Sequence, residues 1–285
     1  MNRWDNLKYK YTQLSIAEKI IVINVICFVI PFIFNSVFYL FQIPKASFSD
    51  WVQLSPNFNT FITRPWTLIT YSFLHADFFH LLWNMILLFY SGRLMLNLFP
   101  DRIFINNYFL GAITGGIIFL LSYSLFPVFR GSYPPMVGAS AGVMAVFIFI
   151  CTYTPEQDIR VFFFNTKLKY LGLVFFSLDV IQIPYGNAGG HLAHIGGAML
   201  GFLYARQLGK ANDIGIWFEN IWKSIFEKKS LKTVYRAPKS KPVKSQKSDE
   251  NKQVKIDAIL DKIGKSGYDS LSKEEKDFLF RAGKD

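Results

Sequence analysis

Residues 20–41 contain no charged side chain. An α-helix rises 1.5 Å per residue, so a run of about 22 residues covers the ~30 Å hydrocarbon core of a bilayer. Five more apolar segments follow, near 78–98, 108–125, 137–153, 169–183 and 190–204. Apolar residues make up 51% of the chain, and Phe alone contributes 30. They lie in long runs and not in the periodic patches of a soluble enzyme. The expected fold class is all-α: a polytopic membrane protein with six transmembrane helices. The first run is too long for a cleavable signal and lacks a small-residue cleavage site, so it reads as a retained span.

The formal net charge is +11, but 18 of the 31 Lys and Arg follow Arg206, outside the apolar part. A basic tail beside spans points to orientation and anionic headgroups, not to nucleic acid. Arg3, Lys8, Lys10 and Lys19 precede the first span. Arg93 and Arg102, then Arg160, Lys167 and Lys169, then Arg206 and Lys210 mark alternate connections. The intervening connections carry only Lys45, Arg64 and Arg130. This bias predicts both termini on the cytoplasmic side. The outer connection 43–70 holds Trp51, Phe58, Phe61 and Trp66, and should lie in the headgroup layer. Cys27 and Cys151 sit within apolar runs as small hydrophobes; no disulfide, zinc or haem framework is implied.

The chain divides into five regions: a cytoplasmic N-terminal segment (1–19), the six-helix membrane domain (20–206), an amphipathic juxtamembrane helix (207–231), a flexible basic linker (232–253) and a small helical hairpin (254–285). Ile214, Trp217, Phe218, Ile221 and Ile225 have helical spacing, flanked by Lys223, Lys228 and Lys229, as a helix lying on a membrane surface would. In the hairpin, Ile256, Ile259, Leu260 and Ile263 share a face, Gly267 can end the helix, and Ser272 and Glu275 have capping-box spacing. So short a unit should dock on a protein partner.

Polar groups inside a bilayer are costly, and each needs a reason. His75 and His80 open the second span, Ser140 the fourth, and His191 and His194 the sixth. By the charge pattern all lie toward the outer face. Gly138 and Gly142 flank Ser140 at one-turn spacing, and Gly197 and Gly201 follow His194 likewise. If these small faces meet, the Ser140 hydroxyl and the His194 imidazole come within hydrogen-bond distance. A serine needs a base to take its proton, and a neutral histidine is the usual one. No acid stands near in sequence to orient His194, so a two-residue Ser140–His194 dyad is the economical reading. His80 and Asn84, spaced i, i+4, share a helix face and can donate to an oxyanion, as can the Ser140 N–H at a helix start. The short fourth span would leave a hydrated recess above Ser140. Asp179 reads as a structural hydrogen-bonder, and His75 and His191 as groups that satisfy loop backbone. Alone, Ser140 would be packing glue and His194 a helix-contact residue.

His80-x-x-x-Asn84, Gly138-x-Ser140 and Ala193-His194-Ile195-Gly196-Gly197 occur in the order, and on the spans, seen in the rhomboid family. The stretch from Pro65-Trp66 to Phe73-Leu74-His75 also resembles that family's entry to the second span, and the likeness covers roughly 20–206. Thr67, Leu96, Ala141 and Met144 depart from residues common in the family. The resemblance implies an intramembrane serine endopeptidase with Ser140 as nucleophile, His194 as general base, and His80 and Asn84 at the oxyanion. Substrates would be transmembrane proteins with easily unwound spans, cut near the outer leaflet. No metal or nucleotide cofactor would be needed. It further implies a bacterial member in the inner membrane, its site opening outward. The alternative is a non-catalytic relative that binds membrane clients; a histidine-held metal enzyme or transporter has a thin ligand set.

Overall fold

In a bilayer no water is available to the backbone, so an apolar run closes its own hydrogen bonds as a helix. The computed structural model describes residues 2–42, 49–161, 163–226 and 246–283. Helices α1 (Arg3–Gln13) and α2 (Ile16–Leu40) come first. Three short helices follow, α3 (Ser49–Val52), α4 (Phe58–Thr63) and α5 (Thr67–Thr70). The bundle continues with α6 (Phe78–Leu96), α7 (Asp101–Leu125), α8 (Ser140–Tyr153), α9 (Leu168–Gln182) and α10 (Ala188–Leu208). Then come α11 (Ile216–Phe226), α12 (Gln246–Ser266) and α13 (Lys273–Ala282).

Among the described residues, four helices are long and apolar enough to cross a membrane: α2, α6, α7, and α9 with its 3₁₀ extension to Tyr185. Helix α10 is long enough, but two histidines and five glycines dilute its hydropathy. Helix α8 has 14 residues, or about 21 Å of helix. It starts at Ser140, not near Val137, because Gly138 holds a positive φ of 136° and breaks the helical run. Every residue of α8 from Ala141 to Cys151 is buried. A helix apolar on all sides belongs at the centre of a bundle, and α6, α7, α9 and α10 pack around it. By contrast α2 exposes Ile26, Ile30 and Phe34, the surface that lipid covers. Its start buries Ala17 and Ile20 against Leu81, Met85 and Leu88 of α6.

The outer connection is tied down. Leu54 and Met136 exchange backbone hydrogen bonds of 3.1 and 2.8 Å. The Trp66 indole N–H donates to the Trp51 carbonyl at 2.8 Å, and the Tyr71 hydroxyl to the Ala112 carbonyl at 2.7 Å. The Gly138 N–H donates to the Tyr71 carbonyl at 3.0 Å. The segment before Ser140 is thereby fixed to the connection leading into α6.

The helical class holds with one small exception. Strands β1 (Asp158–Val161) and β2 (Phe164–Lys167) pair antiparallel between α8 and α9. Past α10, the Asp213 carboxylate accepts from Arg102 and Tyr204, both at 2.6 Å, and from the Gly215 N–H at 2.9 Å. This joins the start of α7, the end of α10 and the start of α11.

The chain divides into two units, 1–228 and 229–285. In the second, Gly267 follows α12 with φ 79° and donates its N–H to the Ile263 carbonyl at 2.9 Å. Ser272 and Glu275 form the capping box of α13. Some expected boundaries shift. Residues 3–13 of the N-terminal segment are helical, and the first span begins at Ile16, where Ser15 and Glu18 cap it. The juxtamembrane helix starts at Ile216, not 207. Helix α12 begins at Gln246, inside the stretch read as a linker, because 246–252 are mostly competent helix formers. Residues 43–48, 227–231 and 232–245 of the expected outer connection, amphipathic helix and linker lie outside the described residues.

Candidate active site

Four helices, α6, α8, α9 and α10, deliver the polar residues. Ser140 is the first residue of α8, so its N–H has no carbonyl one turn earlier to bond. His194 lies in the second turn of α10. The distance from Ser140 Oγ to His194 Nε2 is 2.7 Å. Both line a recess of about 410 Å³, with His80, Asp77 and Met136 in its wall.

Close helix approach makes this contact possible. A Cβ built on Gly197 would lie 2.0 Å from the Ala141 carbonyl oxygen, and one on Gly201 2.2 Å from that of Ala145. Only glycine fits at either position. The face of α8 that meets α10 is therefore Ala141 and Ala145, not Gly138 and Gly142. Gly142 faces α7, where a Cβ would meet the Tyr108 carbonyl at 2.9 Å. Gly138 packs on the His80 ring: a Cβ there would lie 2.9 Å from His80 Nε2 and 3.4 Å from Ser140 Oγ. The His80 ring and the Ser140 hydroxyl thus border one spot.

Asn84 is buried one turn below His80 but does not line the recess. Its Nδ2 donates to the His80 carbonyl at 2.9 Å. His75 also departs from expectation. Both its ring nitrogens are buried without a partner among the described residues, and its ring stands edge-on to His80 at 5.1 Å. It satisfies no loop backbone group.

Sequence reasoning missed one contact. Asp179 Oδ1, on α9, lies 2.8 Å from His194 Nδ1 and 2.8 Å from His191 Nδ1. His191 therefore bonds a carboxylate and not loop backbone. The spacing of 15 residues and the turn between two helices hid this acid from any motif. The i, i+3 placement of His191 and His194 on one helix face was the available signal. Possible ligand atoms of Asp179, His191 and His194 lie within 4.8 Å of one another, a spacing that the two hydrogen bonds account for.

The fold and this cluster define a class: a polytopic helical membrane protein with a serine and a histidine in contact near the starts of two closely packed helices. The Rhomboid domain family matches residues 63–211, slightly more than half of the chain, and the chain belongs to the rhomboid family. Residues 244–283 match a "Family of unknown function (DUF6576)". Among relatives, RHOMBOID-like protein 12, mitochondrial, of Arabidopsis thaliana is 28% identical over 144 residues, which cover 46% of this chain and 43% of that protein. Presenilin-associated rhomboid-like protein A, mitochondrial, of Danio rerio is 28% identical over 169 residues, covering 56% and 40%. Rhomboid protein 1, mitochondrial, of Saccharomyces cerevisiae is 26% identical over 182 residues, covering 62% and 51%. The chain spans about two fifths to one half of the length of these relatives. They are mitochondrial by name, so the expectation of a specifically bacterial member has no support, while an integral membrane protein of this family stands.

Proposed function

We propose that this chain is an intramembrane serine protease that hydrolyses peptide bonds in or near the transmembrane segments of other membrane proteins. One observation carries the reading: Ser140 Oγ stands 2.7 Å from His194 Nε2, in a recess able to admit a peptide and water. As Oγ attacks the scissile carbonyl carbon, His194 Nε2 takes the hydroxyl proton. Negative charge moves to the carbonyl oxygen, where the free Ser140 N–H and the His80 ring are suited to receive it. The Asn84 amide gives one N–H to the His80 carbonyl and keeps a second, but it does not line the recess, so it joins them only on turning toward the oxyanion. His194 then gives its proton to the leaving amine, and an acyl ester on Ser140 remains. Water, deprotonated by His194, attacks that ester and restores the hydroxyl. Family membership supports membrane-protein substrates. The charge bias supports six crossings, both termini on the cytoplasmic side, and a site near the outer face.

The test is labelling of the detergent-purified protein by a fluorophosphonate probe, together with cleavage of a transmembrane reporter. Ser140→Ala and His194→Ala are each expected to reduce both to background while the protein remains folded. A folded wild-type protein that neither labels nor cleaves would instead be a client-binding relative.

A further inference from the structure

We propose that Asp179, held in place by His191, is a positioning residue that orients His194 and so extends the Ser140–His194 pair to three residues. The inference rests on the hydrolase reading above and deepens it. Among the buried residues described, Asp179 is the one whose side chain carries a charge. A carboxylate inside a membrane bundle is costly unless strong donors face it. Here two ring nitrogens converge on one oxygen, His191 Nδ1 and His194 Nδ1, each at 2.8 Å.

With the carboxyl ionised, that geometry assigns the protons. An ionised carboxylate only accepts hydrogen bonds, so each contact requires the proton on Nδ1. His194, neutral and protonated on Nδ1, keeps its lone pair on Nε2, the atom facing the Ser140 hydroxyl at 2.7 Å. The other tautomer would aim an N–H at the hydroxyl and could not take its proton. When His194 gains that proton, its positive charge arises beside Asp179. The contact therefore strengthens as the reaction proceeds, which is how an interaction lowers a barrier and does more than tighten binding. His191 sits one turn before His194 on the same helix, and its second bond keeps the carboxylate from rotating away. Helix α9, otherwise lipid-facing along Leu173, Val174 and Ile181, thus supplies the orienting acid.

The experiment compares wild-type protein with Asp179→Asn and His191→Gln, using the folded fraction after size-exclusion chromatography. It measures the second-order rate of fluorophosphonate labelling, and kcat and KM for reporter cleavage. Asp179→Asn is expected to slow labelling and lower kcat by about 10²-fold or more, with KM within about twofold, as loss of an orienting acid does elsewhere. His191→Gln is expected to slow both about threefold to tenfold, again with KM unchanged. A merely structural role would lower the folded yield and leave the rate per folded molecule alone. An Asp179→Asn protein that labels at the wild-type rate overturns the inference and leaves the hydrolase reading intact. If Asp179→Asn does not fold, His191→Gln decides, and an unchanged rate overturns it. Wild-type labelling abolished by a chelator also overturns it, since the three groups would then hold a metal. A wild-type protein that neither labels nor cleaves overturns the hydrolase reading and this inference with it.

Discussion

At the scale of single residues, the absence of a side chain matters as much as any functional group. Gly197 lets α10 rest directly on the Ala141 carbonyl. Gly197→Ala would push a methyl group 2.0 Å from that oxygen, and the helices must separate by an ångström or more. Overpacking of this kind costs about 1–3 kcal/mol, and here it would also pull His194 away from Ser140. The expected result is a lower melting temperature in detergent together with loss of fluorophosphonate labelling. Wild-type labelling in Gly197→Ala would mean that the approach is not needed for the contact. Gly138→Ala differs in kind, because φ of 136° excludes most L-residues. A strained backbone costs about 1–3 kcal/mol, and the added methyl would also press on the His80 ring. Much of this site was legible in the chain: Ser140, His194 and the glycines of α10 were all recognisable from small-residue spacing beside a polar group. Which face of α8 would meet α10 was not, because alanines at 141 and 145 serve as well as glycines and look like ordinary apolar residues. Asp179 was hidden for a different reason. Its partners follow a helix reversal, and a lone acid in an apolar run has no periodicity to betray it.

At the scale of elements, apolar runs announced the spans, but polar contacts set where each one stops and how the next begins. The joint around Asp213 is such a case. Burial works to raise this carboxyl, but hydrogen bonds from Tyr204, the Gly215 N–H and Arg102 outweigh it and hold it below the ordinary aspartate range. A carboxyl whose folded value is depressed stabilises the fold at pH above its unfolded value, near 3.9, and that contribution fades as pH falls through the folded value. Hydrogen exchange of 216–226 is therefore expected to stay slow at neutral pH and to quicken below about pH 4, after correction for intrinsic rates. Asp213→Asn should raise exchange of α11 at neutral pH and flatten this dependence. The Arg102 side chain is half exposed, so the loss should be modest, about 1 kcal/mol. Equal protection of α11 in both proteins would show that the joint does not hold this helix. Elements without an apolar signature were the hard ones to read. The strands β1 and β2 are four residues each and carry Asp158, Arg160 and Lys167, which resemble any charged connection. The first turns of α12 are polar throughout, so composition suggested a linker where intrinsic propensity favours a helix.

At the scale of the whole molecule, the central question is how a bundle crosses a bilayer when its innermost helix is too short to do so. Helix α8 offers about 21 Å against ~30 Å of hydrocarbon. Its neighbours can bridge the difference, since α7 has 25 residues. The deficit lies above Ser140, where the recess opens between α7, α10 and the segment from Pro134 to Val137. On this arrangement α8 begins below one membrane surface and ends at the other, where Arg160 of β1 and Lys167 of β2 emerge. Residues on the two sides of α8 must then face opposite compartments. Ser132 and Arg160 are both exposed and bracket the helix, and Lys210, also exposed, follows α10. In a background with Cys27 and Cys151 replaced, Ser132→Cys should react with an impermeant maleimide from one side of sealed, oriented vesicles. Arg160→Cys and Lys210→Cys should react only from the other, because α9 and α10 together return the chain to the compartment it left. Labelling of Ser132→Cys and Arg160→Cys from the same side would mean that α8 re-enters instead of crossing. The hydroxyl at its start would then lie at a different depth from the one the six-span arrangement requires.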